Sequence, residues 1–207
     1  MSQFSDLEFQ INNLHGEIQN FPEPEKLKIS LAVSLAKKYH EGQTRKNGDA
    51  FLLHPVRVSL ILINEARNKN VSNICAALLH DTLEDTKIST AEIKKGCGGR
   101  TLILVQNLTF KENEKFEDYI KRIFVYDRET ILVKYCDRLD NFRDALSLAK
   151  TEPQFLSSIV QKVESYFLPY ARKNLPYFYD QLLYNVCEAR KLLRSEYHES
   201  LITNGYE

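Results

Sequence analysis

The stretch ALLHDTLEDT, Ala77 to Thr86, sets His80 beside Asp81 and Glu84 beside Asp85 inside an apolar run that begins with ICAALL. Its apolar residues recur at helical spacing, and the turns before His80 are almost wholly apolar and hence buried. Successive residues on an α-helix lie about 100° apart, so His80 and Asp81 flank one point from two sides. Glu84 and Asp85 follow one turn on, each at i+4 from its partner. If the helix only packed, His80 would be a satisfied core histidine and the acids would lie on a solvated face. Burying the carboxylates costs several kcal/mol apiece unless a cation meets them, and a divalent metal accounts for all four residues at once.

The same helical period extends on both sides, through KLKISLAVSLAKKYH, VRVSLILINEA and TILVKYCDRLDNFRDALSLA, while strand-like alternation is hardly visible. Pro, Gly or Asn interrupts it at FPEPEK, GQTRKNGDAF, NKNVS, KKGCGGR, TFKENEK and TEPQ. The expected fold is all-α, with roughly eight to ten helices. A single domain over 1–207 is expected, with the motif core at about 31–149 and the aromatic-rich helices of 150–200 packed on it. Lys plus Arg equals Asp plus Glu at 28 each, so no global field attracts nucleic acid or an anionic membrane, and neither is expected as a partner. The N-terminus lacks the basic start and apolar segment of a secretory signal, and no apolar run is long enough to span a bilayer, so a cytoplasmic protein is expected. Cys75, Cys97, Cys136 and Cys187 form no CxxC pair and read as buried reduced thiols.

A metal needs more ligands than one helix supplies. His54 precedes Pro55 in FLLHPVRVSLIL, and proline suits the first turn of a helix, which puts His54 at that helix's N-terminal edge. Asp137 lies in LVKYCDRLDNFRDAL, where Val133, Leu139 and Phe142 argue for burial. Two imidazoles and two carboxylates make a donor set softer than a magnesium cage and harder than a cysteine zinc site, suited to manganese, iron or zinc. Asn141, at i+4 from Asp137, shares its stripe and can donate to a ribose or phosphate oxygen.

The ordered set HP, HDTLEDT and DRLDN resembles the HD-domain superfamily of metal-dependent phosphohydrolases. More narrowly, it resembles the hydrolase domain of the Rel/Spo family, which degrades the guanosine alarmones ppGpp and pppGpp. AKKYHEGQTRKNGDAFLLHPVRV is similar to that family's segment of Ala, His, Gln, Arg-Lys, Gly and His-Pro, and LVQNLT and VKYCDRLDNFRDA to its later segments. The resemblance covers about Leu31 to Ala149. It implies that His54, His80, Asp81 and Asp137 bind the metal, manganese in the alarmone hydrolases, and that Glu84 and Asp85 handle the attacking water. It further implies that Arg45 and Lys46 contact the nucleotide, that Asn141 fills the family's Asn position, and that Lys162 and Tyr166 meet the distal phosphates and the sugar. One departure stands out: after LVQNLT the family has acidic residues and then a lysine, where this chain reads Phe110, Lys111, Glu112.

With 207 − 149 = 58 residues after Ala149, a stand-alone hydrolase is expected rather than one followed by synthetase and regulatory domains. The implied reaction is attack of water on the 3′-diphosphate of ppGpp, giving GDP and pyrophosphate from a small-molecule nucleotide substrate, with no redox or organic cofactor. Two other readings remain open: an HD hydrolase of another nucleotide or phosphate ester, and a non-catalytic nucleotide sensor.

Overall fold

The computed structural model describes the backbone of residues 3–203 and the side chains of residues 6–195. Its helices are, in order, α1 (Gln3–Ile18), α2 (Glu23–Tyr39), α3 (Leu53–Leu60), α4 (Val71–Leu79), α5 (Thr82–Asp85), α6 (Thr90–Cys97), α7 (Gly99–Leu108), α8 (Phe116–Phe124), α9 (Arg128–Ser147), α10 (Pro153–Lys162), α11 (Leu168–Asn174) and α12 (Pro176–Thr203). A π-turn, Ile61–Glu65, prolongs α3, and a second, Val163–Phe167, joins α10 to α11. With each π-joined run taken as one helix and the single turn α5 set aside, the described residues hold ten helices, in line with the expected all-α fold. Their β-structure is one isolated antiparallel bridge, Thr44 to Ala50.

The helices end where the sequence says they must. Gly98 has φ 91°, a left-handed backbone that a side chain resists, and its N–H closes α6 onto the Lys94 carbonyl before α7 begins. Ser89 and Glu92 form a reciprocal capping box at the start of α6. The break over TFKENEK separates α7 from α8, and Pro153 opens α10. Three breaks carry no strong punctuation in the sequence: at His80–Asp81, between α5 and α6, and at Val125–Asp127.

The chain divides into two compact units at Asp137/Arg138. In the first, α4 is the hub. Every residue from Asn73 to Leu79 is buried, as a helix apolar on all sides requires, and α2, α3 and α7 pack around it. The small side chains of Ala76 and Ala77 let those neighbours approach. In the second unit α12 packs on α10, its π-turn and α11. Cys75, Cys97 and Cys136 are buried free thiols, but Cys187 on α12 is exposed, contrary to the sequence expectation, because it lies on a face of α12 that its own unit leaves uncovered.

Asn70 anchors the hub. Its side-chain oxygen accepts the N–H groups of Ser72 (2.9 Å) and Asn73 (3.2 Å), and its amide donates to Glu129 at the start of α9. Asn70→Ala is expected to cost about 1 kcal/mol, the usual value of a lost N-cap, read as a lower urea midpoint with unchanged slope. Asn70→Asp should keep most of the cap.

Candidate metal centre

The site is built where α4 stops. His80 Nδ1 donates to the Ala77 carbonyl at 2.9 Å, and Thr82 Oγ1 donates to the Leu79 carbonyl at 2.6 Å. Two carbonyls of the last turn of α4 are thus taken by side chains. Asp81, at φ −92° and ψ −9°, opens a fresh turn, and its own carbonyl accepts the N–H groups of Glu84 and Asp85. The four residues therefore do not ride one continuous helix, as the sequence reading has it. His80 and Asp81 sit at the junction, and Glu84 and Asp85 occupy the separate turn α5.

With Nδ1 of His80 bound to the Ala77 carbonyl, Nε2 is the ring nitrogen left to face the site. It lies 3.2 Å from Nε2 of His54, in the first turn of α3. Asp137 Oδ1 stands 3.3 Å from the His54 nitrogen and 3.7 Å from the His80 nitrogen. Asp81 adds Oδ1 at 3.1 Å from His80 and Oδ2 at 3.6 Å from His54. The ligand atoms of His54, His80 and Asp137, all buried, lie within 4.8 Å of one another, with Asp81 flanking them at the more open side. Two imidazole nitrogens at hydrogen-bond distance, ringed by carboxylate oxygens, make a site that favours positive charge. The electrostatics agree. Burial works against charge on His80, yet Asp81 and then Asp137 outweigh it and hold the imidazole well above its ordinary range. Burial likewise opposes ionisation of Asp137, but Lys134, His54 and His80 hold its carboxyl well below the usual range. Donor types, burial and convergence all fit a divalent metal.

Supports that the sequence reading did not assign surround this core. Lys134, one turn before Asp137 on α9, donates to Asp137 Oδ2 at 2.7 Å and lies over the Tyr119 ring at 4.9 Å. It occupies the outer oxygen, so the inner one faces the histidines. The signal was a lysine at i−3 from a ligand inside the apolar run ILVKYCD. Tyr119 in turn packs edge-to-face on Phe110 (5.1 Å), whose N–H donates to Glu84 Oε2 at 2.9 Å. The segment carrying Phe110 is clamped by Arg122, which grips both oxygens of Glu114 at 2.7 Å and donates to the carbonyls of Asn107 (2.8 Å) and Thr109 (3.0 Å). The sequence departure at Phe110–Glu112 is therefore part of the wall that aims Glu84.

Glu84 and Asp85 are both exposed on the turn α5. Both carboxyls are raised above the ordinary range, by burial first and then by the charge of Asp81; the Phe110 N–H partly offsets this at Glu84. Arg45 and Lys46 ride a tight hairpin. The Arg45 N–H bonds the Asp49 carbonyl, Gly48 at φ 87° closes the turn onto Arg45, and the Arg45 guanidinium lies over the Phe51 ring at 5.8 Å. All these residues belong to the first unit. Asn141, Lys162 and Tyr166 belong to the second: Asn141 follows Asp137 by four residues along α9, Lys162 closes α10, and Tyr166 lies in the π-turn after it. All three are half-buried. Burial and then the charge of Arg138 lower the pKa of Lys162.

A helical protein with a buried pair of histidines and acidic partners is one broad class of metal site, and comparison with known proteins narrows it. Residues 32–173 match the family model of the HD domain. The chain belongs to the HD-domain family. The guanosine-3′,5′-bis(diphosphate) 3′-pyrophosphohydrolase of Aquifex aeolicus is 35% identical over 150 residues, which are 69% of this chain and 21% of that protein. SpoT of Escherichia coli, a bifunctional (p)ppGpp synthase/hydrolase, is 29% identical over 176 residues, 80% of this chain and 24% of that protein. The chain thus spans about a fifth to a quarter of the length of these relatives. A solved structure of a metazoan ortholog of SpoT, which hydrolyses ppGpp and plays a role in starvation responses, aligns with TM-score 0.59 and 23% identity, covering 85% of this chain and 97% of that one. That likeness is one of fold.

Two outcomes follow from the geometry. Chelated protein titrated with Mn²⁺ should gain thermal stability, because a ligand that binds only the folded state stabilises it; His80→Ala and Asp137→Ala should lose both the gain and stoichiometric metal. An unchanged metal content in either variant would contradict the site. Arg122→Met should release the clamped segment and speed hydrogen exchange of the Phe110 amide by about tenfold or more, the exchange equivalent of losing roughly 1.5–3 kcal/mol of charged hydrogen bonding.

Proposed function

We propose that the protein is a metal-dependent hydrolase of guanosine alarmones that removes the 3′-diphosphate of ppGpp or pppGpp as pyrophosphate, leaving GDP or GTP. The observation that carries this reading is the Glu84–Asp85 pair standing beside the His54, His80, Asp81 and Asp137 centre in an HD-family chain whose curated relatives include 3′-pyrophosphohydrolases. The four residues of the centre would hold the metal, and manganese is the ion we propose. Bound there, a divalent cation would lower the pKa of a coordinated water and draw charge from phosphoryl oxygens.

The chain's own residues supply the rest. Glu84, pinned by the Phe110 N–H, presents its other oxygen to take a proton from the attacking water, and its raised pKa makes it a better acceptor near neutral pH. Asp85 stands beside it as a second acceptor. The Arg45–Lys46 hairpin offers two cations on a rigid turn, suited to a nucleotide's phosphates. Asn141, Lys162 and Tyr166 are proposed to complete nucleotide binding. The HD-domain match runs through both compact units, which supports reading them as one hydrolase domain, and the cytoplasm is the location we propose for it. Among the described residues, no helix is long and apolar enough to cross a membrane.

One observation favours a second reading. Phe110, Lys111 and Glu112 stand where the resemblance places acidic residues followed by a lysine, and the Phe110 ring is packed on Tyr119, so the pocket is adapted to another nucleotide if ppGpp proves a poor substrate. A nucleotide panel separates the two, with pyrophosphate and orthophosphate release read independently on manganese-loaded protein. The account expects pyrophosphate and GDP as the products of ppGpp, and little turnover of GDP, GTP or p-nitrophenyl phosphate. Stepwise orthophosphate release, or faster turnover of a simple monoester, would overturn the alarmone assignment. Glu84→Gln, which can still accept the Phe110 N–H, should keep its metal while kcat falls by roughly 10²–10⁴-fold. Loss of the metal from that variant would make Glu84 a support and not a base.

A further inference from the structure

A third histidine stands beside the metal centre. His40 caps the C-terminus of α2 and is only 3% exposed. Its ring stacks on Phe51, with centroids 4.5 Å apart and planes 22° from parallel, and Phe51 meets His54 edge-on at 6.2 Å. His40 Nδ1 lies 2.7 Å from Oε1 of Gln43. The amide nitrogen of Gln43 donates to the main-chain carbonyl of Asp85 at 3.2 Å.

These contacts fix the tautomer. A main-chain carbonyl can only accept, so it holds the Gln43 amide with nitrogen toward Asp85 and oxygen toward His40. An amide oxygen can also only accept, so Nδ1 of His40 must carry the ring proton. Nε2 is then a bare lone pair, buried and without a hydrogen-bond partner. A buried acceptor left unmet costs about 1–3 kcal/mol, and such groups in native proteins mark a place where something else binds. Burial also lowers the His40 pKa, with Gln43 and Asp81 partly offsetting it. The stack on Phe51, which meets His54, and the link through Gln43 to the Asp85 carbonyl set the imidazole beside the metal centre and the turn that carries Asp85.

An unmet imidazole lone pair on a residue tied through Gln43 to the main chain of Asp85 suits a group with two hydrogens to give, one for the imidazole and one for the carboxylate pair. An alcohol has one and water has two. We propose that His40 is a further residue of the active site, whose Nε2 accepts one hydrogen of the attacking water and orients it, leaving the other hydrogen to the Glu84–Asp85 pair, where Glu84 removes it, and an oxygen lone pair turned toward phosphorus. Gln43 is the positioning residue that keeps the proton on Nδ1. This rests on the reading that Glu84 and Asp85 handle the water of a hydrolase.

The test uses two complementary variants in the full, metal-loaded protein. His40→Asn keeps an amide N–H near the Nδ1 position for Gln43 and deletes the acceptor at Nε2. His40→Gln reaches the Nε2 position with its amide oxygen and gives up Nδ1. Loss of water orientation should lower kcat of His40→Asn by about 10²-fold with KM and metal content near wild type, and His40→Gln should recover about tenfold of that loss. Nitrogen NMR of the wild type should show Nδ1 protonated and Nε2 bare. Wild-type kcat in His40→Asn, a protonated Nε2, or equal losses in both variants together with a fallen Tm or metal content would overturn the proposal. A wild type that hydrolyses no nucleotide of the panel defeats the hydrolase reading and this proposal with it; variants that fail against an active wild type touch His40 alone.

Discussion

Two imidazole nitrogens face each other at 3.2 Å in a buried pocket, and their approach is the constraint on which the rest of the site depends. The carboxylates around the two rings favour a positive charge there, and they hold the His80 imidazole well above its ordinary range. The fold supplies what a cation needs: a carboxylate oxygen from Asp137 on one side and the carboxylate of Asp81 on the other. The four donors come from three places in the chain, namely the first turn of α3, the end of α4, which supplies both His80 and Asp81, and the middle of α9. The hub position of α4 makes that convergence possible. A helix buried on every face cannot shift without disturbing α2, α3 and α7 together, so the residue that ends it is held in place.

Much of this was legible in the sequence, for physical reasons. ICAALL has no polar residue to put toward water, so its burial is forced, and the polar pair that follows it stands out. His54 before Pro55 marks a helix start, and Asp137 among Val133, Leu139 and Phe142 marks a buried carboxylate. All three placements are seen in the structure. The Gly, Pro and Asn punctuation located most helix ends because those residues change the backbone itself.

What was not legible depends on contacts between segments. The break at His80–Asp81 arises because side chains of His80 and Thr82 take carbonyls that a continuing helix would use, and nothing in HDT announces that choice over an uninterrupted turn. Lys134 reads as an ordinary surface lysine until its amine is seen on Asp137. His40 and Gln43 were visible as part of a resembling segment, but their role rests on a bond to the Asp85 carbonyl, 42 residues away from Gln43. The stretch Phe110 to Glu112 looked like a loss of the acidic residues and lysine that the resemblance places there, and Phe110 like a mere apolar replacement. In the fold its backbone N–H holds Glu84, a task that any residue but proline performs and that no side-chain pattern reveals. The division of the chain at Asp137/Arg138 is equally silent in the sequence, since α9 runs through it with an unbroken helical period.

The central claim is that the facing histidines share one divalent cation. Pulsed EPR of Mn²⁺-loaded protein tests it most directly, because electron-spin-echo modulation reads nitrogen bound to the ion. The account predicts modulation from two imidazole nitrogens, falling to one in His54→Ala if that variant retains the ion. A spectrum with stoichiometric Mn²⁺ and no nitrogen modulation, as for an ion held by carboxylates and water alone, would contradict it.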